Sequence, residues 1–287
     1  MPTLTSLHPA AARWISALIR MTAPHPAMTR ILDVIERLQD RPYPTNFVLL
    51  GEPGTGKEGL GRALHHLISP GAPLVRLDVA GFPDGDALAR LCGDGKRPGV
   101  AHAADGGALL IEEAAGLGPL VQEALLRLLK SGTVDDRGGR RLNLRAIVMS
   151  DRDLGAEVAA GRFRHDLYYR LARVVLWLPP LRERPEDIAP AAQWMGNRIL
   201  RAAGLNLELM SPEQLQRATP DERAAALELD AGAIRLLEEH TWPGNLRELE
   251  AVLERALLLY RKGTGINAGA IRAALGDADA PRPIGHS

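Results

Sequence analysis

The stretch FVLLGEPGTGKEGLGRALHHL, residues 47–67, constrains the fold of this chain more than any other. Four consecutive apolar residues lead into a glycine-rich turn, and the turn leads into a segment with helical spacing. An apolar run without alternation belongs to a strand buried on both faces. The turn GEPGTGK fits the pattern G-x-x-x-x-G-K, with Gly51 first and Lys57 last. Gly51, Gly54 and Gly56 let the backbone aim its N–H groups at a phosphate chain, and Glu52, Pro53 and Thr55 complete the loop. The helix opening near Lys57 adds the positive end of its dipole, and Lys57 reaches the outer phosphates. Strand, loop and helix in this order imply a nucleotide site. Glu58 stands where such loops usually carry a Ser or Thr hydroxyl for Mg²⁺, so the metal must find that oxygen elsewhere.

Four more apolar runs follow, at 74–79, 108–113, 145–150 and 174–178, with helical patterns at 57–68, 119–130 and 153–170. Such runs predict a mainly parallel sheet covered on both faces, an α/β fold. Past LPPLRERPEDI the pattern changes to helices alone, near 186–204, 230–240, 245–261 and 267–275, with a polar insertion between the first two. The expected organisation is a helix and linker over 1–28, an α/β domain over 29–184, an all-helical domain over 185–276 and a disordered tail over 277–287. Thr29 is the expected cap of a helix carrying Ile31, Leu32, Ile35 and Leu38 on one face.

Bulk properties exclude several classes. Lys plus Arg and Asp plus Glu number 35 each, so no net positive charge supplies a general grip on nucleic acid or membrane. One cysteine, Cys92, permits no intrachain disulfide and fits a reducing, cytoplasmic setting. No apolar run approaches the length of a membrane span. His65 and His66 lack Cys or acidic partners at metal spacing and read as helix-surface residues.

Five motifs taken in order, GEPGTGKE (51–58), ADGGALLIEEA (104–114), GRFRHDLYYRL (161–171), LPPLRERPEDI (178–188) and WPGNLRELE (242–250), resemble the AAA+ domain of bacterial sigma-54-dependent transcription activators. In that family the phosphate loop ends in Gly-Lys-Glu, which accounts for Glu58. The resemblance implies a P-loop ATPase with a five-stranded parallel sheet and a smaller helical lid, using ATP and Mg²⁺. It implies that Glu113 polarises the attacking water and that Glu112 takes the metal side. It makes Arg164 and Arg170, six residues apart on an expected helix, arginine fingers reaching a neighbour's nucleotide in a homo-oligomeric ring of six or seven. Arg247, after a turn anchored by Trp242 and Pro243 and capped by Asn245, would sense the nucleotide from the lid.

The chain departs from the family pattern at several places. The family's Gly-Ala-Phe-Thr-Gly-Ala loop, which grips the sigma factor, is replaced by the shorter LCGDGKRPGVAHAADGG at 91–107. Glu112 replaces an Asp, and a misplacement of about 1 Å can cost roughly 100-fold in rate. Asp78 replaces an Asn and is expected to face Glu113; Ser150 and Asp151 replace a Thr-Asn pair. Neither a receiver domain nor a helix-turn-helix is expected to flank the ATPase. The expected protein partner is an RNA polymerase holoenzyme or another regulator, with no direct sequence-specific DNA-binding domain and no membrane expected. Three functions stay open: a stand-alone ATPase of this type, a nucleotide-binding assembly module with little hydrolysis, and a remodelling ATPase outside transcription.

Overall fold

The computed structural model describes residues 25–40, 43, 45–79, 81–134, 141–260 and 265–279. The chain divides between Pro179 and Pro180 into two compact units.

The first unit is built on five parallel strands, β1 (Phe47–Leu50), β2 (Leu74–Leu77), β3 (Ala108–Ile111), β4 (Arg145–Ser150) and β5 (Val174–Trp177). Their spatial order is β2-β3-β4-β1-β5. Burial follows this order. β1, β3 and β4 are apolar and buried along nearly their whole length, whereas Arg76 on β2 and Trp177 on β5 are exposed. A charged residue inside an apolar run is tolerated at an edge, where one side of the strand meets solvent. The register sets Phe47 beside Ile147 on one side and beside Val174 on the other.

Helices α1 (Pro26–Asp40), α2 (Lys57–Ile68), α3 (Asp84–Cys92), α4 (Val100–Ala103), α5 (Pro119–Ser131), α6 (Leu154–Ala159) and α7 (His165–Leu171) flank the sheet. α1 starts at Pro26, three residues before the expected cap, because proline suits a first helical turn; Thr29 lies inside the helix with its N–H bonded to His25 O. The expected helix over 153–170 is two helices, broken at Gly161, whose φ is +72°. The loop expected at 91–107 is partly helical. α3 ends at Cys92, and a tight turn follows in which Asp94 Oδ1 accepts from the N–H groups of Lys96 and Arg97.

The second unit is helical, as expected, with α8 (Ile188–Ala202), α9 (Pro212–Arg217), α10 (Pro220–Ala224), α11 (Ala231–Glu239), α12 (Asn245–Arg255) and α13 (Ala268–Asp279). One feature departs from helices alone. Short strands β6 (Glu208–Met210), β7 (Ala226–Leu229) and β8 (Gly265–Ile266) pair in parallel. They were illegible because strands of two to four residues carry no reliable period, and LELM and AALELD read equally well as helix. Trp242 is fully buried in this core, its Nε1 donating to Leu237 O at 2.7 Å. Pro243 beside it is exposed. α13 extends to Asp279, two residues beyond the start of the expected tail. The rest of that tail and most of the expected 1–28 segment lie outside the described residues.

Candidate functional site

β1 ends at Leu50, and its neighbours pin the glycine loop at both sides. Gly51 N donates to Ser150 O at 3.2 Å, and Leu178 N donates to Leu50 O at 2.8 Å. A Cβ on Gly51 would lie 2.6 Å from Leu178 O, so no larger residue fits this approach. Gly54 and Gly56 have φ of +79° and +103°, the left-handed conformations that turn the loop. Thr55 Oγ1 donates to Glu52 O at 2.8 Å. Lys57 opens α2 and is buried, its Nζ donating to the carbonyls of Gly51 and Glu52. Glu58, one residue on, is exposed and paired to Arg62 at 2.7 Å.

Glu112 and Glu113 follow β3 directly. Glu112 is held by the edge-strand arginine: Arg76 Nη2 donates to Oε2 at 2.9 Å, and Nε lies 2.6 Å from Oε1. Asp78 Oδ2 lies 3.5 Å from the same guanidinium. Burial raises the Glu112 carboxyl above its ordinary range. Arg76 opposes that shift, and the charges of Glu58, Asp78 and Glu113 add to it. Glu113 sits in the left-handed region at φ +50°, which swings it out of line with Glu112. Its carboxyl is also raised, by burial first, then by the charge of Asp151 and a hydrogen bond shared with it; Lys57 and Arg152 oppose. The expectation that Asp78 faces Glu113 is therefore corrected. Asp78 is paired to Arg76 and acts on Glu112, because it lies beyond the edge strand β2. The acidic neighbour of Glu113 is Asp151, which β4 delivers next to the glycine loop.

The two expected finger arginines are not equivalent. Arg164 stands before α7, not within it, and its guanidinium makes two bonds to Asp166 at 3.1 and 3.0 Å. Its backbone N–H donates to Oε1 of Gln122, a buried side chain that also donates to Leu117 O and Arg162 O. Arg170 lies in the last turn of α7, and its Nε donates to Leu129 O at 2.7 Å.

In the second unit Arg247 is exposed in the first turn of α12, and no hydrogen bond or ion pair holds its side chain among the described residues. Asn245 does not cap the helix. It is fully buried with φ +53°, and its Oδ1 accepts from Leu181 N at 2.7 Å, tying the proline-rich segment to the start of α12. His65 is also corrected, from helix surface to core. It is buried, and its ring Nε2 lies 3.0 Å from Ala72 O.

The residues at the glycine loop fit a nucleotide with a divalent cation. The loop admits no Cβ at Gly51, the helix start presents its first-turn N–H groups, and four carboxylates near one another favour a cation between them. Among the described residues no three His, Cys, Asp or Glu form a ready-made metal cage. Mg²⁺ needs only one or two carboxylates beside phosphate oxygens and water, and Glu112 and Glu113 just past β3 are the residues that would supply them. Sequence reasoning passed over Arg76 and Gln122 as partners of the site and marked Asp151 only as a departure from the family pattern, without its link to Glu113; no helix among the described residues is long and apolar enough to cross a membrane.

Comparison with known proteins gives a consistent picture. The sigma-54 interaction domain family matches residues 21–177, and the AAA+ ATPase lid domain family matches residues 213–283. The Nif-specific regulatory protein of Azotobacter vinelandii is 37% identical over 253 residues, covering 83% of this chain and 44% of the relative. The response regulator FleR of Pseudomonas aeruginosa is 36% identical over 252 residues, covering 83% and 49%. The chain thus spans about half the length of the curated relatives it matches. Among solved structures, NtrX of Brucella abortus in complex with ADP superposes with a TM-score of 0.74 at 27% identity, covering 95% of this chain and 59% of that one. The same protein with ATP gives a TM-score of 0.73 at 27% identity, covering 91% and 57%. The branch-migration motor RuvB of Thermotoga maritima, at 16% identity, a TM-score of 0.55 and coverage of 89% and 69%, shares the fold alone.

Proposed function

The chain belongs to the sigma-54 interaction domain family of AAA+ proteins, and on that premise we propose that it hydrolyses ATP at the interface between copies of itself and uses the nucleotide state to act on a protein partner in transcription control. The partner is an RNA polymerase holoenzyme or another regulator, which places the work in the cytoplasm. A closed ring of six or seven copies gives every nucleotide a neighbour.

The observation that carries this reading is that Lys57, buried at the start of α2, and Glu113, just past the end of β3, lie near enough for the charge of Lys57 to act on the carboxyl. The cation that reaches the outer phosphates acts electrostatically on the carboxylate that would orient water, at the carboxyl ends of parallel strands where ligands bind in such sheets. In this reading the Gly51–Lys57 loop holds the phosphates, Glu113 orients and deprotonates water, and Glu112 stands on the metal side once Arg76 yields. Arg164 and Arg170 act on a neighbour's nucleotide, and Arg247 reports its state to the second unit. When bound, Mg²⁺ neutralises charge on the phosphoryl oxygens.

One observation favours a second reading, an assembly module that binds ATP and turns it over slowly. Asp151 and burial both hold Glu113 toward its protonated form, which is inert as a base, and Arg76 occupies Glu112. Steady-state hydrolysis per subunit against protein concentration separates the two. A rate that climbs with concentration and collapses in Glu113→Gln and Arg164→Ala supports the ring ATPase. Tight ATP binding with no turnover above those variants sinks it in favour of the module.

A further inference from the structure

At the end of the sheet opposite the glycine loop lies a cleft of about 400 Å³ where three arginines meet. Arg145 begins β4, Arg173 directly precedes β5 and Arg170 ends α7; Thr45 and Asn46, just before β1, and Leu129 of α5 complete the wall. The register brings them together. Thr45 and Asn46 continue the line of β1 beside the start of β4, and Arg173 stands next to Asn46 across the β1–β5 pair. Asn46 locks this corner, its side chain donating to Arg170 O and accepting from Ala146 N.

The cations have neutral partners only. Arg145 Nη2 donates to Ser69 Oγ at 2.7 Å, and Arg170 Nε donates to Leu129 O at 2.7 Å. No carboxylate pairs with Arg145, Arg170 or Arg173 among the described residues. Arg145 is half-buried and burial lowers its tendency to stay charged; His65 nearby is held below its ordinary value by burial first, with the Arg145 charge adding to it. Three guanidiniums held together without a counter-charge repel one another, and partly buried charges are normally paired. An anion with several oxygens relieves this, and planar guanidiniums match phosphate best.

The cleft cannot serve the nucleotide on its own chain. Asn46 and Gly51 are separated by the length of β1, about 16 Å at 3.3 Å per residue, which is beyond an arginine side chain's reach. We propose that this cleft is a phosphoryl-binding site, in which Arg145 and Arg173 act with Arg170 on the terminal phosphate of a nucleotide held by a second copy of the chain. The assignment of the source rests on the ring-ATPase reading; the phosphoryl chemistry of the cleft does not. Arg173, exposed and without a side-chain partner among the described residues, is the residue to remove with least harm to the fold.

Two measurements decide the matter. In the first, inorganic tripolyphosphate is titrated calorimetrically into Lys57→Ala, whose glycine loop is disabled, and into Lys57→Ala carrying Arg173→Ala as well. Binding by the single variant that weakens at least about tenfold in the double variant is the expected result, since one charge-assisted contact is lost. Equal binding by both, or binding by neither, overturns the site. In the second, the two dead variants Lys57→Ala and Arg173→Ala are mixed and ATP hydrolysis is followed. About a quarter of the interfaces in a random one-to-one ring place an intact loop against an intact cleft, so activity returns if the cleft works in trans. Hydrolysis by the parent chain with no gain on mixing overturns the neighbour's nucleotide as the source and leaves a free polyphosphate, provided the first titration succeeded. A parent chain that hydrolyses nothing refutes the ring-ATPase reading instead, and the titration still decides the cleft.

Discussion

The carboxyl ends of β1 to β4 collect carboxylates, and the amino ends of β1, β4 and β5 collect guanidiniums. Glu58, Asp78, Glu112, Glu113 and Asp151 gather at the first end, where burial first and then like charge raise the carboxyls of Glu112 and Glu113 above their usual range. Arg76, Lys57 and Arg152 offset that crowding only in part. Arg145, Arg170 and Arg173 line a cleft at the second end, and no carboxylate pairs with them among the described residues. A balanced chain, 35 charges of each sign, has sorted them by position along the strands. Local excess of one sign costs energy that a complement from outside recovers. Each end therefore reads as half of a site. Under the proposed function a cation and phosphates complete the acidic end, and under the inference drawn from the cleft a phosphoryl group carried by another copy completes the basic one.

The largest expected effect tests the basic end. Arg170→Ala should lower hydrolysis by about 10³-fold or more, as trans-acting arginines do elsewhere, while ATP affinity of the dilute chain stays unchanged. A loss of affinity equal to the loss of rate would break the division between the ends. At the acidic end, Glu113→Gln should cut single-turnover hydrolysis by about 10²–10⁴-fold with nucleotide binding retained, the range for a lost general base. A rate within a few-fold of the parent would assign the base elsewhere.

Gly51→Ala tests whether the acidic end depends on the loop's close approach to Leu178. A left-handed conformation and a 2.6 Å contact together should cost about 1–3 kcal/mol of stability in urea unfolding and weaken ATP binding. The smallest effect concerns pH. Glu113 works as a base only when ionised, and burial with Asp151 holds its pKa up, so hydrolysis should rise with pH through that raised value. Asp151→Asn removes one cause and should move this acid limb to lower pH, changing the neutral rate by less than about tenfold. The same sign applies to folding. A carboxyl whose pKa is raised in the folded state contributes fully below its unfolded pKa and loses that contribution as pH rises. Asp151→Asn should therefore raise Tm at neutral pH and leave it unchanged in acid; a limb and a Tm that stay put would separate Asp151 from Glu113.

Much of the acidic end was legible because its parts are contiguous. Gly51, Gly54, Gly56 and Lys57 lie within seven residues, and their roles follow from backbone conformation and reach. Glu112 and Glu113 announce themselves by ending a buried apolar run. Their partners did not, since Arg76 and Asp151 come from other strands and look like an edge interruption and a turn residue. The basic end was legible only at Arg170, through a resemblance. Arg145 and Arg173 each precede an apolar run by no more than one residue, a position with no local signature.

Sequence by itself determined the five strands of the large sheet, most helices, the phosphate loop and the family, because each depends on neighbours within a turn or a strand and on period and glycine geometry. Only tertiary structure decided the strand order β2-β3-β4-β1-β5, and with it which charges meet. Placing β1 between β4 and β5 sets Ser150 against Gly51 at one end and Arg145 near Arg173 at the other. Coulomb interactions act through space, across separations the chain's own spacing does not encode. The sorting of charge into two complementary ends is therefore a property of the folded sheet.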